Sequence, residues 1–330
     1  MRATGADGLK KGPGILKTLE ELLEDETAGH PSWGTKWTRK TLDKLARELE
    51  RCKYHVGRVT VRRLLKQLRY VQRVNRKRLT KQRDPDRDRQ MRHIARVRRA
   101  YEKAGKPVIS VDTKKKELVG NFRNPGRTWR VAPIEVLSTD FPSDAKGKAI
   151  PYGIYDVAYN TGFVVVGMSH ETAQFAVNAI RRWWYDEGRH RYAGQTELLI
   201  LADTGGANSS RSWVWKWELQ QLADETGLSI RVMHYPSGAS KWNLVEHRLF
   251  CYISGNWAGQ PLTSYETVLK YIRTTKTQGG LRCQAYLDRT VYATSRKISS
   301  EQRASINLTR HSVLPKWNYT IKPHGSTRRK

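Results

Sequence analysis

Cysteines, acids and long apolar runs are what this sequence has least of. There are three cysteines, Cys52, Cys251 and Cys283, an odd number at no zinc spacing. That argues against a disulfide or zinc framework and fits reduced cytosolic thiols. His247 and Cys251 lie one helical turn apart, and ordinary packing is favoured over a shared ligand. No stretch of about 18 or more apolar residues occurs and the N-terminus has no signal-peptide core, so a cytoplasmic protein without membrane contact is expected. No internal repeat is visible. Acids number 31 against 61 lysines and arginines, a net charge of +30 with a pI near 10.2. Such a surplus favours a polyanionic partner, because each cation that neutralises a phosphate releases condensed counterions. A membrane surface is the weaker candidate, since no basic amphipathic helix with an aromatic face stands out.

With 330 residues there is enough chain for a sizeable core and two or more domains. Residues 1–35 are read as poorly structured, rich in glycine at first, with a short helix carrying Leu16, Leu19, Leu22 and Leu23 on one face. A helix from Thr38, a candidate N-cap, to Glu50 follows, its apolar positions Leu42, Leu45, Ala46 and Leu49 at helical spacing. After a break over 51–57, a second helix has the stripe Val61, Leu64, Leu65 and Leu68, with Arg58, Arg62, Arg63, Lys66 and Arg69 opposite. Two short helices with a tight break, the second strongly basic, predict an all-α helix-turn-helix DNA-binding domain over 36–83. The rival is a small bundle with a solvated basic face. Arg76, Lys77 and Arg78 in the following connector are candidate phosphate contacts.

A linker helix is expected over 84–106, with Ile94, Val97 and Tyr101 on one side, closed by Gly105 and Pro107. Then the pattern changes to β/α. Val108 to Thr113 reads as a strand, and Tyr152–Ala158 and Phe163–Met168 as a hairpin around Tyr159-Asn160-Thr161-Gly162. A helix from Glu171 buries Ala173, Ala176, Val177, Ile180 and Trp184. A strand ends at Asp203, Ser209–Glu225 is helical despite the strand-like alternation of Trp213, Trp215 and Trp217, and Leu228–His234 is a strand. The next helix opens at Trp242 and carries Glu246 in its first turns. Strand, hairpin, then α-β-α-β-α is the order of an RNase H-like domain, α/β with a mixed five-stranded sheet and flanking helices, over 107–256. Residues 257–330 are expected to be an extension with a helix near Tyr265–Thr274 and a basic tail, Arg328-Arg329-Lys330.

Two acids at strand ends, Asp112 and Asp203, and one on a helix, Glu246, point to a metal site. Carboxylates ~4 Å apart repel by roughly 4 kcal/mol at an effective dielectric of ~20, so a cluster persists only if protonated or bound to cations. Oxygen-only ligands suit Mg²⁺ or Mn²⁺. Two such ions about 3.5–4 Å apart activate an attacking water or 3′-hydroxyl and stabilise the leaving oxygen of a phosphoryl displacement. Any one acid alone is more simply a cap or a surface ion pair. Asn243 stands one turn before Glu246, either as an N-cap or to orient the site, and Lys241 and Arg248 flank it as phosphate-holding candidates. Gly205 and Gly206 allow close backbone approach or a plain tight turn. Asp140 and Asp156 are the rival acids, with Asp156 the first substitute for Asp203.

With these residues in place, the chain resembles bacterial insertion-sequence DDE transposases of the ISAzo-thirteen-like group, over about Trp37 to Pro323. The marks are Ser110-Val111-Asp112-Thr113-Lys114-Lys115-Lys116-Glu117, Gly147-Lys148-Ala149-Ile150-Pro151-Tyr152-Gly153, Ala202-Asp203, Ser240-Lys241-Trp242-Asn243 through Glu246-His247-Arg248, and Trp317-Asn318-Tyr319-Thr320. Departures are Thr139 where such proteins tend to have His, Thr204 for a glycine, and Ala239 for a hydroxyl residue. The resemblance implies an RNase H-like core with Asp112, Asp203 and Glu246 as catalytic metal-binding triad. It implies cleavage at terminal inverted repeats, 3′-OH strand transfer into target DNA, and a homodimer or higher oligomer on DNA. It also leads to the expectation of further DNA-binding sequence before Met1. The alternatives are a catalytically inactive transposase-derived DNA-binding protein and an RNase H-like nuclease that cuts without joining.

Overall fold

A computed structural model describes residues 14–24, 28–29, 36–37, 40–72, 84–239 and 242–325. The chain divides into two compact units, residues 1–79 and 80–330.

The first unit contains α1 (Gly14–Glu24), a two-residue antiparallel ladder of β1 (Ala28–Gly29) with β2 (Lys36–Trp37), α2 (Leu42–Arg51) and α3 (Arg58–Gln67). Leu19 and Leu23 pack with Leu45, Leu49, Val61 and Leu64, so the leucine spacing of all three helices builds one small core. α2 begins later than expected, because the cap is Thr41, whose hydroxyl accepts from the Lys44 amide at 3.1 Å. Thr38 lies outside the described residues.

The second unit opens with α4 (Arg87–Lys103), then β3 (Val108–Thr113), β4 (Glu117–Val119), β5 (Gly147–Asp156) and β6 (Thr161–Gly167). α5 (Ala173–Trp183) follows, capped by Thr172, then a π-helical turn at Trp184–Gly188 and the short α6 (Arg189–Arg191). β7 (Glu197–Ala202), α7 (Trp213–Thr226), β8 (Ser229–His234), α8 (Cys251–Asn256) and α9 (Tyr265–Arg273) come next. β9 (Arg282–Asp288), α10 (Ser300–Ala304), β10 (Leu308–Arg310) and β11 (Asn318–Ile321) complete it.

One mixed sheet runs β10-β11-β8-β7-β3-β5-β6-β9, with β4 added on β5. The five expected strands form its centre, β3 parallel to β7 and β7 to β8, β3 antiparallel to β5 and β5 to β6. The expected count of five is corrected to nine. β9 extends the β6 edge, and β11 and β10 extend the β8 edge, so residues 257–330 finish both sides of the sheet. The hairpin turn also shifts: Asn160 has φ +51°, while Thr161 and Gly162 already pair within β6.

Strand alternation assigns the faces. Ile109, Val111, Leu198, Ile200 and Ala202 pack with α5 and α7, where Trp215 is fully buried between partly buried Trp213 and Trp217. The three tryptophans thus belong to a broad helical face, not to a strand. Val108, Leu199 and Leu201 pack under Ile94, Val97 and Tyr101 of α4. α8 and α9 cover Tyr155, Val164 and Val166. Among the described residues no helix is long and apolar enough to cross a membrane.

Candidate active site

In the parallel β3–β7 pair, Val111 is opposite Ala202. Asp112 and Asp203 are the next residue on each chain. Neighbouring strands lie about 4.8 Å apart and paired side chains share a face, so the two carboxylates emerge together at the C-terminal end of the sheet. That face is the one that also carries Ser110.

Asn243 joins them. Its side chain is fully buried, with Nδ2 at 3.5 Å from both Asp112 Oδ2 and Asp203 Oδ1 and at 3.2 Å from the Val111 carbonyl. Its Oδ1 accepts a hydrogen bond from the Ser110 hydroxyl, whose oxygen in turn accepts from the Val245 amide at 3.0 Å. The amide is thereby locked with its donor end towards both acids.

Glu246 begins a π-helical turn, Glu246–Phe250, that runs into α8. Such turns recur at functional positions because they re-aim side chains. Burial raises the Asp112 carboxyl to about 8, helped by the nearby charges of Asp203, Glu246 and Glu171 and opposed by the Thr113 amide. Asp203 is pushed up to about 6 by burial and by Glu246, against the Asn243 amide. Glu246 is raised by burial, opposed by His247 and Lys114. Three carboxyls that resist ionising beside one another want a cation. Among the described residues no group of three or more His, Cys, Asp or Glu side chains is placed to hold a metal ion. Mg²⁺ is commonly held by one or two carboxylates, its other positions filled by waters and substrate oxygens. The Asp112–Asp203 pair with Glu246 at Coulombic range therefore fits a hard divalent cation.

A second line of contacts reaches Asp203 from behind. The His234 Nδ1–H donates to the Asp203 carbonyl at 2.9 Å, and Nε2 accepts from the Tyr319 hydroxyl at 3.0 Å. The Tyr319 oxygen accepts from Trp215 Nε1–H at 2.9 Å. Burial lowers His234 to about 4, which keeps it neutral with one donor and one acceptor. β11, which holds most of the late Trp317–Thr320 motif, is thus tied to the second acid. Ser110 and Tyr319 entered the sequence reading only as letters of the resemblance motifs, and His234 and Glu171, the last paired with Lys116 at 3.0 Å, only as ends of expected elements. Ser110 had one readable signal, a hydroxyl two residues before Asp112 in an apolar strand.

Other candidates go elsewhere. Arg248 lines a separate cavity of about 310 Å³ with Asn160, Tyr252 and residues 277–279, by the hairpin end of the sheet. Lys241, Arg76, Lys77 and Arg78 lie outside the described residues. Arg62, Arg63 and Lys66 are exposed on α3 and Arg69 is exposed in the turn just past its end, whereas Arg58, also exposed, pairs with Asp43 at 3.1 Å. Asp156 is buried but points away from the pair: Tyr192 Oη donates to it at 2.7 Å and Arg191 lies at 3.4 Å, three residues down the sheet. It is a structural acid, and no substitute for Asp203. Asp140 is exposed. Gly206 has φ +59°, and a side chain there would meet Glu171, so the turn itself requires glycine. Cys251 Sγ donates to the His247 carbonyl at 2.9 Å, which is ordinary helix packing.

Two solved structures with a similar course are the Mos1 transposase paired-end complex with left transposon end, at 16% identity and TM-score 0.41 over 82% of this chain and 73% of that one, and the Mos1 strand transfer complex, at 15% and 0.42 over 82% and 72%. No curated protein sequence matches. Residues 18–323 match the model of the family described as Rhodopirellula transposase DDE domain. Since that match takes in nearly the whole chain, the protein belongs to this family of DDE transposases.

Proposed function

We propose that the chain cuts DNA at the terminal inverted repeats of its element and joins the freed 3′-OH to target DNA, using an RNase H-like core. Asp112, Asp203 and Glu246 are the residues that would hold Mg²⁺ or Mn²⁺, in all two ions. The bound metal would supply Lewis-acid stabilisation of the phosphodiester oxygens and a more acidic attacking hydroxyl. The observation that carries the reading is the Asp112–Asp203 pair bracketing the one Asn243 amide. Asn243 keeps the two carboxylates at a fixed separation, Ser110 fixes Asn243, and His234 holds the backbone of Asp203 from the other side. A positioned, water-poor acid pair of this kind contributes because it needs no rearrangement as charge develops on the phosphoryl group.

The test is incubation of the protein with Mg²⁺, a DNA carrying the repeats that flank its gene, and a target plasmid. The expected products are nicks leaving 3′-OH ends and covalently joined molecules. Cutting without joining would make the protein a nuclease, and binding without cutting an inactive relative.

α3 is proposed to dock the DNA as the second helix of a helix-turn-helix, with Arg62, Arg63 and Lys66 of the helix and Arg69 just past its end as phosphate or groove contacts. Subunits are proposed to act as a homodimer or higher oligomer on paired ends. The Arg62→Ala/Arg63→Ala variant is expected to weaken duplex binding and to flatten the plot of log affinity against log salt by about two. A wild-type slope in the variant would show that α3 does not touch DNA.

A further inference from the structure

Away from the catalytic acids, one cluster gathers more donors than acceptors. Arg89, His93 and Arg96 share a side of α4 at helical spacing. Arg231 of β8 and His311, just beyond β10, lie beside them. Burial lowers the His93 pKa, and the charges of Arg96, Arg231 and Arg89 lower it further. His311 is lowered to about 4 by burial, Arg231 and His93.

A guanidinium can only donate, and this fixes the tautomers. Arg96 Nη2 is 3.1 Å from His93 Nδ1, and Arg231 Nη2 is 3.4 Å from His311 Nδ1. Both Nδ1 atoms therefore accept, and both ring protons sit on Nε2. His311 gives its proton to Thr320 Oγ1 at 2.8 Å. The Nε2–H of His93, a residue only 8% exposed, has no partner, and neither has the buried Nε–H of Arg231. The acid that faces the cluster is Glu197, already engaged by Lys106 and by Tyr101 Oη at 2.7 Å. Three guanidinium groups and two orphaned donors ask for a compact anion with several acceptor oxygens, because buried unpaired donors are costly.

We infer that Arg89, His93, Arg96 and Arg231 form a phosphate-binding site, filled by a backbone phosphodiester of the DNA on which the proposed activity works. Its position suits that ligand. Arg231 is three residues before His234 on β8, about 10 Å along the strand, on the sheet face that also carries Asp112 and Asp203. One DNA molecule spans both. Arg89 and Arg96 are exposed at the rim, so the phosphate enters without opening the fold.

The experiment uses the full chain in EDTA, which prevents cleavage, and measures nonspecific duplex binding from low to high NaCl. Arg89→Gln/Arg96→Gln, both exposed, is expected to keep the fold and to flatten the log affinity–log salt slope by about one to two, at roughly 0.9 for each phosphate no longer neutralised. Arg182→Gln/Arg189→Gln, exposed charges of the α5–α6 segment, should leave it unchanged. In a second arm inorganic phosphate alone should raise the melting temperature of the wild type but not of the Arg89/Arg96 variant. An unchanged slope in that variant overturns the inference, and if the phosphate effect is lost while the slope persists, the site takes a free anion and the DNA assignment is wrong. Should the wild type fail to bind duplex DNA, the transposase reading falls and takes the DNA occupant with it, while the phosphate arm still decides whether the cluster holds an anion.

Discussion

Asp112→Asn, and equally Asp203→Asn, is expected to lower DNA cleavage by about 10³-fold or more while leaving duplex binding within about twofold of wild type. A metal-assisted displacement draws several kcal/mol of stabilisation from correctly placed ligands, and about 4 kcal/mol corresponds to a thousandfold in rate. The substitution changes one oxygen to an amide nitrogen, so the packing at the ends of β3 and β7 is preserved. At Asp203 it also removes a charge that raises the Asp112 carboxyl. The variant should therefore be no less stable than wild type in EDTA, and inactive in Mg²⁺. Single-turnover cleavage together with a thermal melt separates the two effects. An active Asp112→Asn protein would remove the acid pair from the chemistry.

The second large effect is expected at Asn243. Alanine there strips the amide from two carboxylates and from the Ser110 hydroxyl at once, in a fully buried position. Residues that orient metal ligands typically contribute about 10–100-fold in metal affinity or activity. Asn243→Ala should thus slow cleavage by about that factor and raise the Mg²⁺ concentration needed for half-maximal rate. Asn243→Asp should do more. It places a third carboxylate between two that already repel, at a cost of roughly 4 kcal/mol per close pair at a dielectric of ~20. In EDTA it should melt well below wild type, and Mn²⁺ should recover part of the loss. Wild-type metal dependence in Asn243→Ala would mean the amide merely packs.

Much of this was legible beforehand for physical reasons. β3 and β7 are short, doubly buried runs bounded by turn residues, and an acid at the end of such a strand stands out. The leucine spacing of α2 and α3 likewise predicted the helices that form. The extra strands were illegible because β10 and β11 have three and four residues and pair across the chain, Asn318 with Met233 for instance. So few positions carry no usable alternation. The π-helical turn at Glu246 changes no apolar spacing that a helix would not share. His234 and Tyr319 act through contacts 31 and 85 residues apart in sequence, visible only once β8 and β11 pair. Arg248, two residues on from Glu246, lines the cavity by the hairpin, since two residues along a helix turn a side chain to another face. Asp156, the expected substitute for Asp203, is turned towards Arg191 and Tyr192 instead.

The most direct measurement is Mn²⁺ binding to the full chain near neutral pH, followed by the loss of the free-ion electron paramagnetic resonance signal, with Mg²⁺ as competitor. The wild type should bind Mn²⁺ and release it to Mg²⁺, while Asp112→Asn and Asp203→Asn should each bind far more weakly and Asp156→Asn should bind as the wild type does. Undiminished binding in the first two variants would contradict a shared cation site at the ends of β3 and β7.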